Sequence, residues 1–263
     1  MHIPLTRRLW CSAAAAALAG LHRAARAAPP LDGAWADRAR GRSVPWRLRL
    51  PSQPGPWPLV LYSHGLGGNR ESAAVWGQAW ADAGVAVLHL QHPGSDTETL
   101  RSGMAALRAA ASAAQLLARV HDVRHALDEV ERQVRAGAEP WCSLRLDAVG
   151  LAGHSFGAQT TQAVAGQRFA VAVNPPHSLD SLDRSIPLDL ADARLRAFIA
   201  LSPSSPRDGR MTVAQAFGAI TRPFLAPRRL GAVAADRQAR DWRSIRTPHT
   251  AHVLRSADQR RAH

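Results

Sequence analysis

The pentapeptide Gly153-His154-Ser155-Phe156-Gly157 follows the apolar run Leu146-Asp147-Ala148-Val149-Gly150-Leu151-Ala152 and precedes a helix-compatible stretch, Ala158 to Ala165. Strand, tight turn and helix in that order leave few folds open. The G-x-S-x-G spacing sets a serine on a sharp turn with its hydroxyl exposed at the end of a strand. The glycines two before and two after it have no side chain to clash with the turn or with neighbouring backbone.

A second signal lies about ninety residues earlier, where Leu59 to Tyr62 runs into Ser63-His64-Gly65-Leu66-Gly67-Gly68. A serine that attacks a carbonyl develops a negative oxygen, and two preorganised backbone N–H groups stabilise it well. One donor belongs to the residue after the serine, here Phe156. The other comes from a glycine-rich loop after an earlier strand, which nominates Leu66.

The rest of the chain alternates strands and helices, so a parallel sheet with right-handed crossovers is expected. Trp46 to Leu50, Leu59 to Ser63, Val85 to Gln91, Asp147 to Ala152, Ala197 to Ser202 and Pro223 to Leu225 read as strands. Ser72 to Ala83 reads as a helix with Val75, Trp76, Ala79, Trp80 and Ala83 on its buried face. Leu100 to Ala118 is alanine-rich and predicted helical. Leu116, Val120, Val123, Leu127, Val130 and Val134 step by four and three, which makes an amphipathic helix with its charges outside. Met211 to Ile220 is a further helix, and the polar, proline-broken stretch 174–192 is expected to be a lid or loop.

The first 27 residues are expected to form a secretory signal peptide. Arg7 and Arg8 precede the apolar stretch Leu9 to Leu21, and Ala25-Arg26-Ala27 is an A-x-A cleavage site. That stretch is too short to span a bilayer stably. A periplasmic or secreted protein follows, exported by the Sec or the twin-arginine route. Residues 28–225 form the domain, and 226–263 a basic tail. Loss of Cys11 with the signal leaves Cys142 as the one cysteine, which excludes an intrachain disulfide and is expected to be a buried apolar residue.

The net charge of +13 is carried entirely by arginine on the basic side and concentrates at the two ends. Residues 222–263 alone hold ten arginines against three aspartates. The body of the domain is nearly neutral, which argues against a nucleic-acid partner. Neither His89 with His92 nor His121 with His125 has metal-site spacing with a third ligand nearby, so no metal is expected. His121 and His125 are expected on a solvated helix face, and His64 as a structural residue of the glycine loop.

The segments SHGLGGNRES (63–72), QHPGSD (91–96), GLAGHSFGAQTT (150–161) and RAFIALSPSSP (196–206) resemble the α/β-hydrolase superfamily. More narrowly they resemble bacterial predicted dienelactone hydrolases, related to platelet-activating-factor acetylhydrolases. The resemblance covers roughly residues 36–225. It implies an α/β-hydrolase fold, a mostly parallel sheet flanked by helices, with esterase or lipase-like action on a small-molecule ester or lipid and no cofactor. It also implies that Ser155 is the nucleophile, that Leu66 and Phe156 supply the oxyanion amides, and that His154 belongs to the elbow and points away from the serine. The pocket is expected beside residues 92–115 and 174–192.

The superfamily's order is serine, acid, histidine. The family places the acid in a G-T-x-D-like turn and the histidine in a D-H-like pair, and neither pattern occurs after Leu225. Asp236 is the nearest acid candidate, and His249 and His252 follow it. A frameshifted or mis-called end, with the family's last strands missing, is the expectation for this arginine-dense tail. Two readings therefore stand: a secreted serine esterase, and an inert hydrolase remnant or binding protein without a complete triad.

Overall fold

The computed structural model describes residues 29–169, 189–203 and 212–226. The signal segment 1–27, most of the stretch 174–192, and the tail after 226 with Asp236, His249 and His252 lie outside the described residues.

Seven strands form one sheet in the order β1-β2-β4-β3-β5-β6-β7. They are β1 (Leu31–Asp37), β2 (Arg42–Arg49), β3 (Trp57–Ser63), β4 (Ala86–Leu90), β5 (Leu144–His154), β6 (Leu195–Leu201) and β7 (Phe224–Leu225). β1 and β2 run antiparallel to each other, and β2 antiparallel to β4; the pairs from β4 through β3, β5 and β6 to β7 are all parallel. The helices are α1 (Ala74–Asp82), α2 (Thr97–Arg101), α3 (Met104–Ala109), α4 (Ala113–Arg135), α5 (Phe156–Ala165) and α6 (Val213–Phe217). The expected architecture, a mostly parallel sheet flanked by helices, is observed.

β4 is apolar but for His89 because both of its faces are covered. All five residues of β4 are buried. The long stripe read from the sequence is α4. Leu116, Val120, Val123, Leu127 and Val130 are buried along it, and the Ser112 side chain accepts from Gln115 N–H as the N-cap. All but Leu116 join Leu59, Leu61, Leu88, Leu151 and Val164 in the principal core.

Three expectations need correction. β1 was not foreseen, because Trp35 is its only buried side chain and no alternation marks it. Seven paired positions along β2 hold it, with Trp35, Trp46 and Trp141 clustered at ring separations of 5.0 to 5.4 Å. The helix expected over 100–118 is divided: Gly103, at φ 103°, separates α2 from α3, and α4 starts anew at Ala113. Finally, of the face that its apolar spacing predicts, α1 packs Trp80 against Tyr62, Val87 and Ala152 but turns the rest outward. Gly77 and Ala81 face inward, while Val75 (80% exposed) and Trp76 (43%) face outward. The cause is local. A Cβ on Gly77 would lie 2.3 Å from His89 Nε2, so only glycine lets the helix approach β4 this closely. That contact fixes the helix's rotation.

Candidate active site

Ser155 stands between the carboxyl end of β5 and the first turn of α5, with φ 55° and ψ −115°. Such a conformation costs a non-glycine residue on the order of 1–3 kcal/mol and persists only where its surroundings over-determine it. Here Ser155 N–H donates to the Leu201 carbonyl at 2.9 Å, and Gln159 N–H donates to the Ser155 carbonyl at 3.2 Å. The glycine spacing is a steric requirement. A Cβ on Gly153 would lie 2.1 Å from the Gly157 carbonyl oxygen, and one on Gly157 would lie 1.9 Å from that of Ser63. Gly157→Ala is therefore expected to destabilise the fold by about 3 kcal/mol, the upper end of overpacking costs. A urea midpoint equal to that of the parent chain would contradict this.

The glycine loop borders the serine. A Cβ placed on Gly65 would be 3.5 Å from the Ser155 Cβ. The Phe156 N–H opens a helix and has no intrahelical acceptor. Among the described residues, neither it nor the Leu66 N–H donates to another backbone group. The loop's shape is set from outside. Gly67 N–H donates to the Ser95 carbonyl at 2.9 Å, Gly68 N–H to the Gly65 carbonyl at 3.0 Å, and the Thr97 hydroxyl to the Gly68 carbonyl at 3.2 Å.

Behind the loop lies a buried polar network that the sequence reading missed. Arg119 is fully buried. Its guanidinium donates to the Thr160, Ser95 and Ser63 hydroxyls at 3.1, 2.9 and 3.0 Å and to the His64 carbonyl, and it sits 4.7 Å above the Phe156 ring. One side chain thus ties the glycine loop, the 92–96 turn and α5 together. The Asp122 carboxylate, also buried, accepts from Arg40 and Arg42 at 2.8 Å each and from His92 Nδ1 at 3.0 Å.

The neighbouring histidines are held neutral. Burial and the Arg119 cation pull His92 down to about 4, against the raising effect of Asp122. Its Nδ1–H therefore donates to Asp122, and its Nε2 accepts from the Ser63 hydroxyl at 3.0 Å. Burial, then Arg119, likewise drives His64 well below the ordinary histidine range. Its Nε2 accepts from His92 N–H at 3.0 Å and its Nδ1–H donates to the Gly65 carbonyl at 2.6 Å. Ser63, His92 and Asp122 form a serine–histidine–carboxylate chain, but all three side chains are shut away from solvent, so it braces the loop. Removing a buried carboxylate strands its partner cations. Asp122→Ala is expected to cost about 3–5 kcal/mol, read as a lower urea midpoint.

A signal for this network was present. Arg119 lies three residues after Leu116 and four before Val123, on the apolar stripe of α4, and a charge on that stripe needs partners. The expectation that all the helix's charges face outward is thus corrected at Arg119 and Asp122.

The histidine readings divide. His64 and His92 are structural, as expected. His89 is buried and pulled to about 4 by burial and the cation of Arg49. His121 and His125 are half-buried, not on a fully solvated face, and His125 Nδ1 lies 3.8 Å from Asp37. No group of three metal-ligating side chains occurs among the described residues. His154 does not face away from the serine's side. It lines the same cavity as Ser155, with Nδ1 3.4 Å from a Cβ placed on Gly65. Cys142 is exposed rather than buried, because it sits on the surface of a single 3-10 turn (Trp141–Ser143). A hydrogen bond to Glu139 raises its thiol, so it is not an activated nucleophile.

Ser155 opens into a cavity of about 560 Å³, walled by Tyr62, the loop 65–68, residues 72–76 and His154. Among the described residues the wall is the first turn of α1, not residues 92–115. Leu100 and Leu107 lie behind it, 3.6 and 3.4 Å from a Cβ placed on Gly67. Asp236 and His252, the candidates for the serine's acid and base, lie outside the described residues.

No protein-family model matches the chain, and no curated protein matches it. Solved structures do. A ferulic acid esterase from Streptomyces cinnamoneus is 18% identical with a TM-score of 0.47, over 82% of this chain and 68% of that one. A cold-adapted esterase from an Arctic intertidal metagenomic library is 17% identical with a TM-score of 0.42, over 76% and 72%. An α/β hydrolase from Penicillium is 18% identical with a TM-score of 0.41, over 67% and 46%. Of the first three structures it matches, the chain spans 22%, 38% and 46% of their lengths. Among the described residues no helix is long and apolar enough to cross a membrane.

Proposed function

We propose that this chain is a secreted serine hydrolase of carboxylic esters, working through an acyl-enzyme on Ser155. One observation carries the reading. An exposed serine on a strained strand-to-helix turn shares a cavity with a glycine loop that includes Leu66, and among the described residues neither the Leu66 nor the Phe156 amide has a backbone acceptor. In the proposed reaction Ser155 Oγ attacks the ester carbonyl, and the two amides receive the oxygen that becomes negative. A histidine takes the hydroxyl proton and passes it to the departing alcohol, and water then releases the acid by the same steps. His252 as base and Asp236 as acid are the proposed partners, in the superfamily's serine–acid–histidine order.

A second reading is favoured by one specific feature: the tail after Leu225 carries neither of the family's acid and histidine patterns. On that reading the chain binds esters without turning them over. The two separate in one experiment, with p-nitrophenyl butyrate as substrate and a fluorophosphonate as label. Steady hydrolysis together with labelling supports the esterase. Slow labelling without turnover supports the inert form, and neither activity removes Ser155 from the mechanism. Export is tested by fractionation, with cleavage after Ala27 as the expected result.

A further inference from the structure

The outward rotation of α1 has a chemical consequence at the serine. Gly77 presses against His89, and Val75 and Trp76, which helical spacing would bury, are turned out instead. Val75 and Trp76 then form part of the cavity that holds Ser155. The backbone supports the placement. Ala73, at the start of α1, takes a left-handed conformation at φ 60°, strained for a residue with a Cβ. Ser72, the natural capping residue, is instead occupied in accepting from Asn69 N–H at 3.0 Å. Ala73, Ala74, Val75 and Trp76 consequently face the serine as one apolar wall. No arginine, aspartate or glutamate is among the described residues that line this cavity.

We infer that this wall is a binding site for an uncharged hydrocarbon arm of the ester, on its acyl or its alcohol side, and that it rejects an arm ending in a carboxylate. The inference rests on the proposed esterase reading for the identity of the ligand. The wall gains from each methylene it takes out of water, and among the described residues it offers no arginine to replace the water lost by an anionic terminus. Trp76 supplies the largest apolar surface and is the specificity-determining side chain.

Two matched pairs test this. Methyl hexanoate and monomethyl adipate differ only by a terminal carboxylate on the acyl arm, and hexyl acetate and 6-acetoxyhexanoate differ in the same way on the alcohol arm. The parent chain is expected to hydrolyse the uncharged member of at least one pair with kcat/KM at least tenfold higher. Over shorter homologues of that pair, kcat/KM should rise roughly three- to fourfold per methylene. The Ser155→Ala chain should bind the same uncharged ester by calorimetry, and Trp76→Ala in that background should weaken binding about tenfold. Trp76 is partly exposed, and an unchanged urea midpoint would show that the fold is intact. Val75→Ser, at a position 80% exposed, gives a second probe that cannot unfold the chain. Equal rates within both pairs, or binding indifferent to Trp76→Ala and Val75→Ser, would overturn the inference. Binding by Ser155→Ala with no hydrolysis by the parent would sink the esterase reading and leave the binding site standing. Ser155-dependent hydrolysis without preference would do the reverse.

Discussion

Ser155→Ala is expected to lower kcat for p-nitrophenyl butyrate by a factor of about 10⁴ to 10⁶ while leaving the fold intact. The size follows from removing a nucleophile that acts as one unit with its base. Two features make the variant informative. Ser155 is exposed and its hydroxyl makes no hydrogen bond among the described residues, so its loss should move stability by no more than about 0.5 kcal/mol. The Leu66 and Phe156 amides remain in place, so KM should change far less than kcat. Hydrolysis and urea melts measured side by side decide the matter. A variant that keeps even a tenth of the parent rate would show that the hydroxyl is not the attacking group.

The second large effect is acid unfolding above the carboxylate range. His89 and His92 are each pulled to about 4, and His64 lies well below its ordinary value of 6.5. Burial is the first cause in each. A depressed histidine means that the unfolded chain binds a proton that the folded chain refuses. Stability therefore rises with pH through this window: it is complete above about 6.5 and drains away as pH falls toward 4. Each histidine contributes about 1.4 kcal/mol per pH unit, so three together approach about 4 kcal/mol per unit. A domain stable by about 5–15 kcal/mol cannot absorb two such units comfortably. Asp122 is held below its usual range and adds its own loss only at lower pH, as its carboxylate protonates. Urea midpoints should be flat from pH 8 to 6.5 and fall steeply by pH 5. In His92→Gln about a third of that slope should vanish. A flat profile to pH 5 would mean that the buried imidazoles accept protons without cost.

The contrast between the inner strand β4 and the edge strand β1 shows what can be read in advance. β4 is apolar but for His89, and its bounds are legible within a residue or so, because burial on both faces writes itself into composition. β1 has a single buried side chain and exists through its partner strand, information that no local window holds. The helices divide in the same way. Steps of four and three gave α4 its length and its core face. The same stripe contained Arg119, whose partners come from three other segments and could not be named from the stripe alone.

At the site, the spacing of Gly153, Ser155 and Gly157 determined a strained serine at a strand's end, because any side chain at either glycine collides with backbone. The pairing of that turn with the loop at His64 to Gly68 was also legible, since both are short glycine-rich signals. Which wall faces the serine was not. The rotation of α1 is set by one contact, Gly77 against His89, and that contact outweighs the helix's own apolar pattern. Local sequence fixes what steric exclusion forbids within a few residues; which side chains meet across the sheet is fixed only when the elements pack.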